Sequence, residues 1–258
     1  MPSVTKTDFL SCDFLHFMIG YSQVVVTDFF CGNTNSFRSQ FPPQGTVYQT
    51  KFEYETEEYT MTEKEKMLAG KLYDPSDPEL GSLLLKARKL ARKYNTLDED
   101  QPERQAILTD LLCNSPNIPS LQAPIYFDYG CNTSFGKFCS ANFNFTCLDV
   151  CPVHIGDSVM IGPNVTIATP MHPLLPEERN IRIREDGTPY NLEYAKPITI
   201  EKNCWLASNV VVCGGVTIGE GCVIGAGSVV TRSIPPHSLA AGNPCRVIRT
   251  LTEQDRME

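Results

Sequence analysis

The sequence predicts a mainly β fold, a solenoid of short parallel strands entered through a helical segment. Three observations carry this expectation. From Ile200 an apolar residue returns at every sixth position, at Ile200, Leu206, Val212, Ile218, Ile224 and Val230. A small or branched residue fills the fifth place of each unit, at Cys204, Val210, Val216, Cys222 and Ser228. The same register runs upstream through Ile155, Ile161 and Ile167, so one repeating structure spans both blocks, with a break at about 168–197. A period of six matches neither a helix nor an ordinary alternating strand, and self-similarity at a fixed period marks a solenoid.

Six residues suit one short strand on a flat face of a prism followed by a turn to the next face, so three units close one coil. The opener and the fifth residue point inward. Gly or Asn at the second to fourth places lets the chain turn tightly. Each coil buries its face only on its neighbours.

The elements before the solenoid read in order. Residues 1–60 show no repeat, carry a polar cluster from 32 to 50 and end in the acidic run FEYETEEY, which predicts a poorly ordered extension. Thr62 followed by Glu65 has the form of a capping box and opens a short helix. After the turn DPSDPEL, Leu83, Leu84, Ala87, Leu90, Ala91 and Tyr94 fall on one helical face, and a third helix is expected from Pro102 to Leu112. These helices form a cap over 61–120 that protects the first strand edge of a solenoid over 121–251, with a tail to residue 258.

Composition narrows the function. At 258 residues and 41% apolar the chain can bury a sizeable core. A net charge of −8 argues against a nucleic-acid surface, which needs clustered Lys and Arg. No apolar run is long enough to cross a membrane, and Asp13, His16 and Asp28 interrupt the apolar N-terminal patches, so no signal peptide is expected. The eleven cysteines show no paired CxxC ladder and read as reduced thiols of a cytoplasmic protein. Cys204 and Cys222 occupy inward slots as small hydrophobes. His16, His154, His172 and His237 are too scattered for a metal site, and none is expected.

From Met61 to about Leu251 the chain closely resembles the maltose and galactoside O-acetyltransferases, including the nodulation-type sugar acetyltransferases, of the hexapeptide-repeat acyltransferases. The resemblance rests on TEKEKMLAGKLYDPSDPEL, FDYGCNTSFGKFCSANFNFTCLDVCPVHIGD, IGPNVTIATPMHP, AKPITIEKNCWLASNVVVCGGVTIG, IGAGSVVTRSIPP and AAGNPCRVIR. It implies a left-handed parallel β-helix, an exception to the usual crossover hand. It further implies a homotrimer with active sites between subunits, and transfer of an acetyl group from acetyl-CoA to a sugar hydroxyl.

That chemistry needs a base to take the hydroxyl proton as the thioester is attacked, and histidine titrates in the right range. His172, where the repeats break into the long loop, matches the family's catalytic histidine. Asn142 matches the family asparagine near the reacting hydroxyl, where an amide orients the acceptor or donates to oxyanion charge. Glu193, at the end of the loop, is the candidate to accept from the other imidazole nitrogen; an ordinary turn residue is the competing reading.

For the acceptor, the resemblance points to an acidic contact in the YDPSDP turn. The choice between Asp74 and Asp77 stays open, helix capping being the alternative for each. Asp149 is a further candidate. For CoA, Trp205, Ser208, Gly225 and Ala226 match the pantetheine groove, followed by Thr231 and Arg232, while Arg246 and Arg249 match the pair expected near the 3′-phosphate. No cysteine stands where a covalent acetyl carrier is expected, which favours direct transfer. A carbonic anhydrase on this solenoid needs three zinc histidines, and a sugar nucleotidyltransferase needs a preceding Gly-rich nucleotide domain; neither is present. A non-catalytic hexapeptide scaffold is the remaining alternative, against which His172, Asn142 and Trp205 stand.

Overall fold

The computed structural model describes residues 60–257, so the expectation for the N-terminal extension lies outside the described residues. Helix α1 (Glu63–Leu68) starts on the capping box: Thr62 Oγ1 accepts from the Glu65 N–H at 3.2 Å, and Glu65 Oε2 accepts from the Thr62 N–H at 2.8 Å. Helix α2 (Pro78–Asn95) buries Leu80, Ala87, Ala91 and Tyr94, with Leu83, Leu84 and Leu90 partly covered. Helix α3 (Glu103–Leu111) follows.

The first coil of a solenoid leaves backbone groups unpaired on its open edge, and here side chains from the helical segment satisfy them. Tyr94 and Arg104 donate to the Leu121 carbonyl at 2.5 and 3.2 Å. Asn95 bonds both backbone groups of Ile125, at 2.8 and 2.9 Å. Beyond α3, Ser115 and Asn117 serve the backbone of Phe135 in the same way, at 2.9 and 3.2 Å.

The solenoid has three parallel faces. The first holds Ser120–Leu121, Ser140–Ala141, Met160–Ile161, Trp205–Leu206, Val223–Ile224 and Ser238–Ala241, closed by the antiparallel strand Arg246–Thr250. The second stacks Ile125–Phe127, Phe145–Leu148, Thr166–Ala168, Val211–Cys213 and Val229–Val230. The third stacks Thr133–Phe135, Val153–Ile155, Ile198–Ile200 and Thr217–Ile218. Every hexad opener and fifth residue from Ile200 to Val230 points inward and is at most 2% exposed. The turns are more specific than the sequence suggests. The fourth place of each hexad is the left-handed one, at Asn203, Asn209, Gly215, Gly221 and Gly227, with φ from 59° to 85°.

Three corners separate the faces, and the one between the second and third faces is irregular. Successive coils pair Phe127 with Cys147, Cys147 with Ile167, Ile167 with Val212 and Val212 with Val230, steps of 20, 20, 45 and 18 residues. Only the last step equals three hexads. The first two coils each carry two extra residues at this corner, and the third carries the long loop. A second apolar cluster, of Met67, Tyr73, Leu80, Tyr129, Val150, Cys151 and Ala195, packs α1 and α2 against it. All nine cysteines among the described residues are free, and no helix of these residues is long and apolar enough to cross a membrane.

Candidate active site

The site grows from the irregular corner. The chain leaves the second face after Ala168, and Pro170–Met171 pairs antiparallel with Tyr194–Ala195, Met171 opposite Tyr194. The same register carried one residue further sets His172 abreast of Glu193. On its other side Glu193 pairs with the cap: Tyr73 and Glu193 exchange both backbone hydrogen bonds, at 2.9 and 3.1 Å. The Tyr73 hydroxyl also donates to Glu193 Oε2 at 2.9 Å. A three-strand stitch thus ties the cap to both ends of the loop, with His172 the residue after its middle pairing. His172 is exposed and makes no hydrogen bond among the described residues. Burial, reinforced by the neighbouring Glu193 charge, raises the pKa of Tyr73 and keeps its proton on the phenol.

The structure separates the acidic candidates. Asp77 is the N-cap of α2, accepting from the Glu79 and Leu80 N–H groups at 2.9 and 3.2 Å, so its carboxylate serves the helix. Asp149 is corrected more strongly. It is 0% exposed, accepts from the Tyr129 N–H at 2.8 Å and the Thr133 hydroxyl at 2.9 Å, and has no path to an acceptor. It fastens the two extra corner residues of the first coil to the second. Burial pushes its pKa up to about 6, against the opposing pull of these hydrogen bonds. Asp74 alone lies beside the stitch, next to Tyr73. Its Oδ1 accepts from Ser76 N and Oγ at 2.9 and 2.6 Å, and its Oδ2 pairs with Arg184.

Arg184 belongs to the loop, which is more structured than a plain excursion. Arg182–Ile183 and Pro189–Tyr190 form a hairpin, and the Arg184 guanidinium stacks 4.5 Å above the Tyr190 ring. Arg184 and Tyr73 are the site residues missed in the sequence. Tyr73 meets its partner across 120 residues, and no local pattern marks that pairing.

The donor-side candidates gather elsewhere. Trp205, 48% exposed, stands outward on the first face beside Val223. Ser208 and Gly227 are joined by a hydrogen bond from Gly227 N to Ser208 O at 2.9 Å, so Ser208, Gly225 and Ala226 stack at the corner between the first and second faces. Added bulk at Gly225 would meet Ala241 Cβ at 2.8 Å, which holds these coils close. Thr231 and Arg232 are exposed just after the second face.

Arg246 and Arg249 lie three apart on one strand, a spacing that normally sends side chains to opposite sides. A bulge puts both on the outward side, opposite Ala241 and Leu239. Arg249 also pairs with Asp255 at 2.7 Å. Asn142 is exposed at the first-to-second corner, its Oδ1 accepting from Phe143 N at 2.7 Å. It therefore shares a corner with Ser208 and Ala226 rather than with His172. The strand between those corners, Phe145–Leu148, is four residues long, which spans about 13 Å.

The candidates thus fall in three places on the solenoid: an exposed histidine on the loop strand that pairs with the Glu193 strand, a polar turn of the cap, and a stack of small corner residues with two outward arginines beyond it. Known proteins match this architecture. Residues 66–115 match the maltose acetyltransferase hexapeptide capping motif, and residues 197–232 match the six-repeat bacterial transferase hexapeptide. The galactoside O-acetyltransferase of Escherichia coli K12 is 39% identical over 193 residues, covering 74% of this chain and 91% of that protein. Among solved structures, a maltose O-acetyltransferase from Clostridium difficile 630 is similar with a TM-score of 0.66 and 43% identity, covering 75% of this chain and 99% of that one. A galactoside acetyltransferase in complex with coenzyme A is similar with a TM-score of 0.64 and 35% identity, covering 76% and 94%. The chain belongs to the maltose and galactoside O-acetyltransferase family of hexapeptide-repeat acyltransferases. It is an acyltransferase built on a left-handed parallel β-helix.

Proposed function

We propose that this protein is a cytoplasmic sugar O-acetyltransferase that uses acetyl-CoA, with His172 as general base, and works as a homotrimer whose sites lie between protomers. The observation that carries the reading is the separation of corners. The groove residues Trp205, Ser208, Gly225 and Ala226 and the amide of Asn142 belong to the first face and its second-face corner, while His172 and Glu193 belong to the opposite corner. One protomer supplies the two halves about a strand's length apart, so a complete site takes its base from one copy and its donor groove from the next. The cap over 61–120 and the solenoid over 121–251 act as one catalytic unit.

In this reading Nε2 or Nδ1 of neutral His172 takes the proton from the acceptor hydroxyl as that oxygen attacks the thioester carbonyl. The carboxylate of Glu193 accepts from the other ring nitrogen and fixes the tautomer. The amide N–H of Asn142 donates to the oxyanion as charge develops there. When the carbon–sulfur bond breaks, the imidazolium returns its proton to the departing thiolate, leaving an acetyl ester and free CoA. Asp74 orients the acceptor from the cap turn. Trp205 and the small corner residues, with Thr231 and Arg232 beyond them, line the pantetheine path, and Arg246 and Arg249 meet the phosphate end. Transfer is direct, within a ternary complex.

The test is mass-spectrometric detection of acetylated product from acetyl-CoA and a panel of mono- and disaccharides, comparing the parent with His172→Ala. Loss of at least about 10²-fold in kcat is expected for the variant. Undiminished turnover by His172→Ala would exclude it as the base. No product together with no CoA binding would favour a scaffold, and an acetylated enzyme formed with acetyl-CoA alone would overturn direct transfer.

A further inference from the structure

Glu193 is a half-buried carboxylate with two oxygens, and only one has a partner. Oε2 accepts from the Tyr73 hydroxyl at 2.9 Å, and no hydrogen bond among the described residues uses Oε1. Tyr73 is 1% exposed, packed among Met67, Leu80, Tyr129, Val150 and Ala195. Its backbone is locked to Glu193 by the paired hydrogen bonds already described. A phenol so enclosed has one orientation, and a buried hydroxyl needs its partner. The ladder that pairs Met171 with Tyr194 brings residue 172 abreast of residue 193.

We propose that Tyr73 is a positioning residue for the acetyl transfer: its hydroxyl fixes the Glu193 carboxylate so that the remaining oxygen receives the N–H of the His172 imidazole. The proposal rests on His172 being the base. It gives the helical cap a part in the chemistry, because the cap's turn, through one hydroxyl, sets the tautomer and angle of a ring carried by the solenoid's loop. The groups facing this centre suit that arrangement. Tyr129 on the first coil is held protonated by burial and by the charges of Asp128, Glu193 and Asp149. Asp128 is paired with Arg88 at 3.0 Å, and Asp149 is buried among its own donors. Asp74 is paired with Arg184, and Glu193 is the carboxylate of this group that keeps one oxygen without a partner among the described residues.

The experiment compares the full chain with Tyr73→Phe, Glu193→Gln and the double variant. It measures kcat, KM for acetyl-CoA and the pH profile of kcat/KM, and follows the His172 ring protons by NMR, assigned from their loss in His172→Ala. Tyr73→Phe keeps the packing and removes only the hydroxyl. The expected result is a fall in kcat of about tenfold, a minor share of the roughly 10²–10⁴-fold a positioned base supplies, with KM for acetyl-CoA unchanged. Without the phenol the Glu193 carboxylate is no longer held against the imidazolium and its stabilising charge is felt less, so the acid limb and the NMR titration of His172 both move to lower pH. Glu193→Gln shifts them the same way, and the double variant is no worse than Glu193→Gln alone.

Losses that multiply in the double variant, or a His172 titration untouched by Tyr73→Phe, would overturn the proposal, including when only thermal stability falls. Turnover that survives His172→Ala marks failure of the underlying reading instead. The NMR titration needs no acceptor, so it tests the Tyr73 link whether or not the right sugar is in hand.

Discussion

The inner column from Ile200 to Val230 and the corner between the second and third faces are built from the same chain by opposite rules. The column repeats every six residues, is filled by apolar and small side chains, and carries no titratable group except the inward thiols of Cys204 and Cys222. The corner breaks the repeat in three successive coils and holds Asp128, Tyr129, Asp149, His172 and Glu193. A solenoid coil is stable through its neighbours alone, so added residues at a corner cost little packing and can be given to chemistry. Polar groups brought there must still be satisfied, which is what Asp149 and Tyr73 do in different ways. Asp149 faces inward and holds the corner; Glu193, tied by Tyr73, lies on the strand that pairs with the one leading to the loop histidine.

The largest effect expected from breaking this contrast is at Asp149. Asp149→Ala orphans the Tyr129 N–H and the Thr133 hydroxyl, at about 1–3 kcal/mol each, or about 4 kcal/mol together, measured by urea unfolding. Asp149→Asn keeps an acceptor and a donor in place and isolates the charge. The folded pKa of about 6 lies above the ordinary value of about 3.9, so between those limits the folded protein keeps a proton that the unfolded chain has released. Stability therefore falls as pH rises through this window, by about 3 kcal/mol in all. In Asp149→Asn that slope disappears. A parent and a variant with parallel stability curves between pH 4 and 6 would contradict the assignment.

The column gives the control. Ile224→Ala removes a fully buried opener and costs about 3 kcal/mol through lost burial and the cavity left behind. The pH dependence of stability and the kcat of the folded fraction stay as in the parent. A shift in either would show that column and corner are coupled.

The column was legible because its spacing is strict: every opener named from the sequence points inward. The corner was legible as an interruption, and the family resemblance singled out His172 within it, while its internal wiring was not legible. Asp149 reads as a polar candidate beside cysteines, and only the stacking of coils reveals that its two donors lie 20 and 16 residues earlier, one turn of the solenoid below. Asp74 and Asp77 differ by three places in one turn, and cap geometry rather than residue type divides them. Tyr73 and Arg184 needed the fold itself, since each meets its partner across more than a hundred residues.

The smallest predicted effect lies at the turns that join the two regimes. The fourth hexad place is left-handed at most of the turns, and Asn, Gly or Ser fills it at Asn144, Ser158, Asn164 and from Asn203 to Gly227. Phe138 and His237 are the bulky exceptions, with φ at 59° and 54°, and the Phe138 ring is 87% exposed. A bulky side chain in this conformation costs about 1–2 kcal/mol, and so exposed a ring recovers little by burial. Phe138→Gly relieves the steric cost but loosens the unfolded chain, whereas Phe138→Asn relieves part of it with less added freedom. Phe138→Asn is expected to stabilise the protein by about 1 kcal/mol, a rise in Tm of about 2–4 °C, with Phe138→Gly close behind. If both variants melt below the parent, the ring contributes a contact worth more than the strain. In a homotrimer that contact would be with a neighbouring copy, so the same melts repeated across protein concentration would identify it.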